Sequence, residues 1–186
     1  ADRRDTMRTV HLFIAVSLDG YIADKEGGVG WLEGQGTDGE TVDTYSEFIK
    51  GIDTVLMGWN TYHQVATELS PGEWVYHGLT AYVWTHRKDA AGIPSEDIRF
   101  ISESPAVLLE RLKWEPGKDI WVCGGAELIR QLMDADAIDV FHLSIIPTLL
   151  GDGIRLFGRR EEERKLTLIH TQSYDGIVEC VYRRRG

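Results

Sequence analysis

Apolar residues run almost without a break through Leu12, Phe13, Ile14, Ala15 and Val16, which predicts a strand over residues 9–16 covered on both faces. A glycine-dense loop follows, over residues 17–39. Val42, Tyr45, Phe48, Ile49 and Ile52 then recur at helical spacing. Residues 54–57 form a short buried strand, and Gly58 opens a helix running to about Glu68. Strands are expected at 81–84 and 98–101. Ser104 and Pro105 open the next helix, as N-cap and first helical residue, and it ends before Pro116. A strand at 119–123, a helix at 125–134 and a strand at 138–146 complete the middle. Residues 147–158 are a glycine-punctuated loop. The last strands, 166–174 and 177–183, flank Asp175-Gly176, a strong two-residue hairpin signal. Strands and helices alternate first and a hairpin closes the chain, so the pattern predicts an α/β domain with a mixed sheet.

Composition narrows the function classes. The chain has 186 residues, enough for a single domain over 1–186, with residues 1–7 read as a disordered tail. A net charge of −10 argues against nucleic acid, whose binding needs cations on phosphates. Arg183-Arg184-Arg185 reads as a frayed, solvated tail. No apolar stretch approaches the roughly 20 residues that span a bilayer, and the N-terminus has no signal-peptide apolar region. With two cysteines, Cys123 and Cys180, no disulfide framework is indicated; both read as reduced core filler, and a cytoplasmic location is expected.

The chemistry concentrates where strands end. Ile120-Trp121-Val122-Cys123 runs into Gly124-Gly125, and a helix begins at Ala126-Glu127-Leu128. Glycines let a ligand approach the main chain, and a helix N-terminus attracts a phosphate. A tight βα turn with no ligand explains the same residues. A second such turn joins Val55-Leu56-Met57 through Gly58 to Trp59-Asn60-Thr61. A third strand end, Thr85-His86-Arg87, carries a hydroxyl and two potential cations. Open α/β sheets bind ligands along such an edge. A literal G-x-G-x-x-G at Gly34, Gly36 and Gly39 follows no convincing strand and reads as a flexible loop. The six histidines show no metal-ligand spacing, so no metal is expected.

Taken in order, several of these segments resemble the dihydrofolate-reductase-like superfamily. They are most similar to the reductase domain at the C-terminus of the bifunctional riboflavin-biosynthesis deaminase-reductase. The resemblance is carried by Ala15-Val16-Ser17-Leu18-Asp19-Gly20-Tyr21-Ile22-Ala23, Leu56-Met57-Gly58-Trp59-Asn60-Thr61-Tyr62, Trp121-Val122-Cys123-Gly124-Gly125-Ala126-Glu127-Leu128 and Ile146-Pro147-Thr148-Leu149-Leu150-Gly151-Asp152-Gly153. It implies a three-layer fold, a central mixed and mostly parallel sheet flanked by helices and ending in an antiparallel hairpin. It also implies NADPH as cofactor and a homodimer. Carried over, Ala15, Gly58, Thr61, Cys123, Gly124, Gly125, Ala126 and Glu127 would border the cofactor, and Thr85, His86 and Arg87 would meet the adenosine 2′-phosphate. The chain departs from the family at Trp59, where a basic residue is usual.

The substrate end is read on the same resemblance. Asp19 is the candidate acid near the transferred hydride; an Asp19-Gly20 turn, with the carboxylate bonding its own backbone, is the other reading. Ser17, Leu18, Trp31 and Tyr45 are the candidate substrate contacts, with Tyr45 equally at home in a core. His142 and Ser144 alternate on one strand face and either line a pocket or meet an edge. The implied function is NADPH-dependent reduction of a small heterocycle, with the ribosylaminopyrimidine phosphate of riboflavin biosynthesis as the family prototype. A pterin reductase and a non-catalytic, dinucleotide-binding dimer are the alternatives.

Overall fold

The structure is a computed structural model that describes residues 7–37, 42–69 and 71–185. Most of the expected tail, and Gly39 of the glycine loop, lie outside the described residues. Eight strands form one sheet in the order β5 (Ile98–Ile101), β4 (Thr80–Trp84), β3 (Ile52–Gly58), β6 (Asp119–Gly124), β1 (Val10–Ser17), β7 (Val140–Ile146), β10 (Ile177–Arg184), β9 (Leu166–Tyr174). The first six pair in parallel, and β10 runs antiparallel to both β7 and β9. The expected mixed, mostly parallel sheet with a terminal hairpin is therefore present. Asp175 and Gly176 both have positive φ, as a two-residue hairpin turn of this hand requires.

Helices cover both faces, making three layers. α3 (Pro105–Trp114) and α4 (Ala126–Asp134) lie on one face, where Leu108, Leu109, Leu112, Leu128, Ile129 and Leu132 pack on Val10, Leu12, Leu56, Ile120 and Val122. The α4 apolar residues recur at helical spacing, which is why that segment is a helix and why this stripe faces inward. On the other face, α1 (Thr44–Ile49) and α2 (Trp59–Gln64) cover Val55, Met57, Ala81, Val83 and Trp121. Alternation along β1 therefore sends Val10 and Leu12 to one core and Phe13 to the other, which explains the unbroken apolar run.

Four boundaries differ from the sequence pattern. The helix opened by Gly58 is regular only to Gln64 and then widens into a π-type turn over Val65–Leu69, in which the Thr67 hydroxyl donates to the His63 carbonyl at 2.6 Å. Two stretches read as loops contain a small second sheet, β2 (Tyr21–Ala23) against β8 (Ile154–Arg155). The glycine loop is tied to the hairpin turn: Gln35 N–H donates to the Asp175 carbonyl at 2.8 Å and Thr37 N–H to its carboxylate at 2.8 Å. A Cβ on Gly34 would overlap Asp175, so that glycine serves a close approach between segments. Finally, the terminal arginines are not a frayed tail. Arg183 and Arg184 belong to β10, and the Arg184 guanidinium binds Asp136 at 3.1 Å and Asp139 at 3.0 Å. Among the described residues no helix is long and apolar enough to cross a membrane.

Candidate functional site

The site lies at the C-terminal ends of the parallel strands. β3 and β6 are neighbours and end side by side, with Met57 opposite Gly124. Each leaves its strand through glycine into a helix, Gly58 into α2 and Gly125 into α4. The two turns meet. A Cβ on Gly58 would stand 3.9 Å from the Gly125 nitrogen, and Cβ atoms on Gly124 and Gly125 would stand 3.8 and 3.4 Å from the Thr61 hydroxyl. Gly124 has φ +142°, a backbone conformation that L side chains rarely adopt, and the Gly124–Gly125 peptide is cis. The first amide bonded inside α4 is Ile129 N–H, to the Gly125 carbonyl at 3.0 Å. The amides of Ala126, Glu127 and Leu128 thus precede the helix's own ladder and suit an anion. Gly58, Thr61, Gly124, Gly125 and Ala126 thus come together in one cradle of exposed main chain and the Thr61 hydroxyl.

Glu127 contributes only its amide. Its carboxylate is exposed and turned along the helix to Arg130 and Gln131, and the Arg130 guanidinium holds it below the usual glutamate range. Cys123 likewise borders the turn through its backbone alone. Its sulfur faces Tyr76 at 3.8 Å within the aromatic core, and burial pushes the thiol up to about 11. It stays protonated at neutral pH and is core filler.

The third strand end closes one side. The Thr85 hydroxyl accepts from Arg87 N–H at 3.1 Å, and His86 and Arg87 are exposed. The Arg87 guanidinium lies over the Trp59 ring, 4.8 Å from its centroid. Trp59 stands where the resembled family carries a basic residue, and here it is a platform that holds one from the next strand.

The substrate residues distribute differently. Ser17 is 1% exposed; its hydroxyl donates to Asp19 at 2.6 Å and accepts from Tyr21 N–H at 2.9 Å. Asp19 also accepts from Leu150 N–H at 3.1 Å and Gly151 N–H at 2.8 Å. The Ser17 hydroxyl and these amides hold its carboxyl below the ordinary aspartate range. Asp19 is thus an ionised clasp between the β1–β2 turn and the 147–153 loop. Leu18 is 63% exposed, and the Trp31 indole donates to the Gly28 carbonyl at 3.2 Å within its own turn. Tyr45 packs edge-on against Phe13 and Trp121. None of these five lines the cavity described next.

The Asp19 clasp carries a pH expectation. Its pKa is lowered on folding, so its stabilisation is present above the unfolded value near 4 and is lost as pH falls through the lower folded value. Asp19→Asn is expected to remove it at every pH, seen as faster hydrogen exchange of the Leu150 and Gly151 amides with unchanged exchange in β3.

A cavity of about 310 Å³ opens between α1 and the strands β1, β7, β10 and β9. Two cross-strand rows run beneath it, and all of their residues but Ala15 line it. Ala15, Ser144, Glu179 and Gln172 are in register across the four strands, and so are Phe13, His142, Val181 and His170. Ala15 and the pair His142 and Ser144 therefore share one face, as strand alternation predicts. Glu179, 8% exposed, accepts from Thr44 Oγ1 at 2.7 Å, Tyr174 Oη at 2.6 Å and Gln172 Nε2 at 2.8 Å. It is a buried carboxylate satisfied by neutral donors, joining α1 to the hairpin. Glu47 and Phe48 of α1 close the roof, and no lysine or arginine lines the space among the described residues. Sequence reasoning missed Glu179, Gln172, Thr44 and Tyr174. One signal was available: the two-residue turn at Asp175-Gly176 sets the hairpin register and so pairs Glu179 with Gln172.

Comparison with known proteins agrees with this architecture. Residues 8–178 match the model of the RibD C-terminal domain. The chain is similar to YwjB of Bacillus subtilis (strain 168), an uncharacterized protein, with 41% identity over 95% of this chain and 98% of that one. Among solved structures it is similar to a Shewanella sp. PV-4 protein named for riboflavin biosynthesis, with TM-score 0.81, 25% identity and coverage of 96% and 99% of the two chains. It also shares its fold with dihydrofolate reductase from Enterococcus faecalis complexed with NADP(H), with TM-score 0.63, 15% identity and coverage of 96% and 97%. The match across nearly the whole chain, on a sheet and a pair of glycine turns of this form, shows that the protein belongs to the RibD C-terminal domain family.

Proposed function

We propose that this protein is an NADPH-dependent reductase acting on a small heterocycle. The observation that carries the reading is the paired cradle at Gly58, Thr61, Gly124 and Gly125. Two strand ends there expose main chain to one another, and a Cβ on any of the three glycines would enter the shared space. The residues fit the cofactor: the α4 amides suit a pyrophosphate, and Arg87 on Trp59 suits a 2′-phosphate. The bound cofactor would supply the hydride. The protein's own work is to hold, orient and dry the reactants. Phe13, Phe48 and Leu143 give the cavity apolar walls, while Ser144, Gln172 and Glu179 offer polar groups at one end.

The same lining bears on which heterocycle. With Glu47 and Glu179 present and no lysine or arginine among the described lining residues, the cavity favours a ring that donates N–H groups over one carrying a phosphate. A phosphate-free pyrimidine, or the pterin alternative, fits this lining better than the phosphorylated prototype of the family.

The test is a titration followed by tryptophan fluorescence, since the chain has six tryptophans to transfer energy to a reduced nicotinamide. Saturable quenching by NADPH, followed by oxidation of NADPH on a panel of pyrimidines and pterins, is expected. No quenching at millimolar NADPH or NADH would remove the cofactor reading, and tight binding without turnover across the panel would favour a non-catalytic dinucleotide-binding protein. Arg87→Ala is expected to weaken NADPH about tenfold and leave NADH within twofold, because one exposed charge-assisted contact to the 2′-phosphate is worth about 1.5 kcal/mol. Equal loss for both dinucleotides would move Arg87 to the pyrophosphate.

A further inference from the structure

Three titratable side chains outside the cofactor cradle form a continuous chain that ends in the cavity. Asp119 Oδ2 lies 2.8 Å from His11 Nε2, and His11 Nδ1 lies 3.1 Å from His142 Nε2. Neighbouring parallel strands supply the three groups in sequence, β6, β1 and β7. His142 lines the cavity; the Asp119 side chain is 39% exposed on the far side. Phe48 packs beside both imidazoles, at 5.6 Å from His11 and 5.1 Å from His142, and Phe13 packs at 5.7 Å from His142. A merely structural pair of histidines needs neither a carboxylate behind it nor a cavity in front.

We infer that His142 delivers the proton that reduction consumes, drawing on a proton held by His11 against Asp119. This rests on the reductase reading. Hydride brings its electron pair to the carbon of a C=N or C=O bond, the π pair moves to the nitrogen or oxygen, and that atom needs a proton. When His11 carries both ring protons, Nε2–H donates to Asp119 and Nδ1–H to His142 Nε2. His142 is then neutral, with its remaining proton on Nδ1. Transfer of that proton to the substrate is matched by transfer of the His11 Nδ1 proton to His142 Nε2. His11 is left neutral with Nε2–H still on Asp119, and His142 has changed tautomer. After product leaves, a proton from water in the cavity restores Nδ1–H of His142 and the shift reverses. His11 and Asp119 act through His142 and are positioning residues; His142 alone meets substrate.

The groups facing His142 suit the role. His11 faces it from β1, Glu179 from β10, and His170 and Glu47 share the cavity from β9 and α1. Burial first, and the neighbouring His11 second, push His142 down to about 4 against the pull of Glu179. His142 therefore stays neutral while it relays.

The decisive measurement uses the free protein, without cofactor. In 15N-histidine spectra, His142 is expected to switch from an Nδ1–H to an Nε2–H tautomer in the same pH transition that deprotonates His11. Asp119→Asn removes the charge stabilising protonated His11, and is expected to move that joint transition to lower pH although residue 119 does not touch His142. A single His142 tautomer throughout, or an unchanged transition in Asp119→Asn, overturns the inference. In turnover, His142→Gln is expected to lower kcat about a hundredfold, the typical scale for losing a general acid, with NADPH affinity within twofold. An unchanged kcat also overturns it. Failure of NADPH to bind while the tautomer switch persists overturns the reductase reading instead.

Discussion

Gly125→Asp is expected to weaken NADPH binding by roughly a thousandfold while the protein stays folded. Gly125 has φ −87° and ψ −159°, an extended conformation open to any residue. Its new Cβ would stand 3.4 Å from the Thr61 hydroxyl, a tight but ordinary contact. Aspartate is also a favourable N-cap, so the substitution does not weaken α4. What changes is the anion site. A carboxylate about 4 Å from a phosphate charge, at an effective dielectric near 20, repels it by about 4 kcal/mol, which is roughly a thousandfold in affinity. Gly125→Ala separates the two causes: it adds the methyl without the charge, and a loss of about tenfold is expected from blocked backbone approach. Fluorescence titration reads both, and thermal unfolding of the free variants checks the fold. Unchanged affinity in Gly125→Asp would take the glycine turn out of the site.

Arg8→Ala is expected to have the largest effect on stability. Arg8 precedes β1 and is 6% exposed. Its guanidinium binds Asp53 Oδ1 at 2.5 Å, the Thr54 hydroxyl at 2.7 Å and the Lys118 carbonyl at 2.5 Å, while its own amide donates to the Lys113 carbonyl at 3.2 Å. One side chain thus joins the starts of β1 and β3 to the connection between α3 and β6. Gly117, at φ +156°, leaves room for it: a Cβ there would fall 3.1 Å from the guanidinium carbon. Truncation leaves a buried hydroxyl and a carbonyl short of a donor and a carboxylate without its counter-ion. Breaking such a buried pair costs about 3 kcal/mol, at the lower end of the usual range because the Asp53 side chain is 38% exposed. For a domain of this size that is about 6–12 °C in Tm. Arg8→Lys keeps the charge and loses the fork, so it is expected to recover no more than half. Chemical unfolding measures both, and a loss below about 1 kcal/mol would show the network to be dispensable.

The two predictions rest on features of different legibility. The turn at Gly125 is local: an apolar run, two glycines, then an apolar stripe at helical spacing. The turn at Asp175-Gly176 is similarly local. Arg8 sits one residue from the stretch read as a disordered tail, and nothing near it in sequence announces four partners more than 40 positions away. Asp19 is the reverse case. Its motif is recognisable, yet its main-chain partners in the 147–153 loop are amides 131 and 132 positions distant. Trp59 stands in place of a basic residue, and the cation comes instead from the neighbouring strand end, with Arg87 stacked on it.

The sequence by itself determined the order of the main-sheet strands and the helices, the mixed sheet and the two strand–glycine–helix turns. Backbone conformation and apolar periodicity are decided by neighbours within one or two turns of chain. Only the tertiary structure decided the rest: the cavity beneath α1, the carboxylate network at Glu179, and the series Asp119, His11 and His142. Those groups come from strands adjacent in the sheet but as much as 131 residues apart in the chain. Sheet order and register bring them together, and of these only the β9–β10 register is set locally, by the Asp175-Gly176 turn.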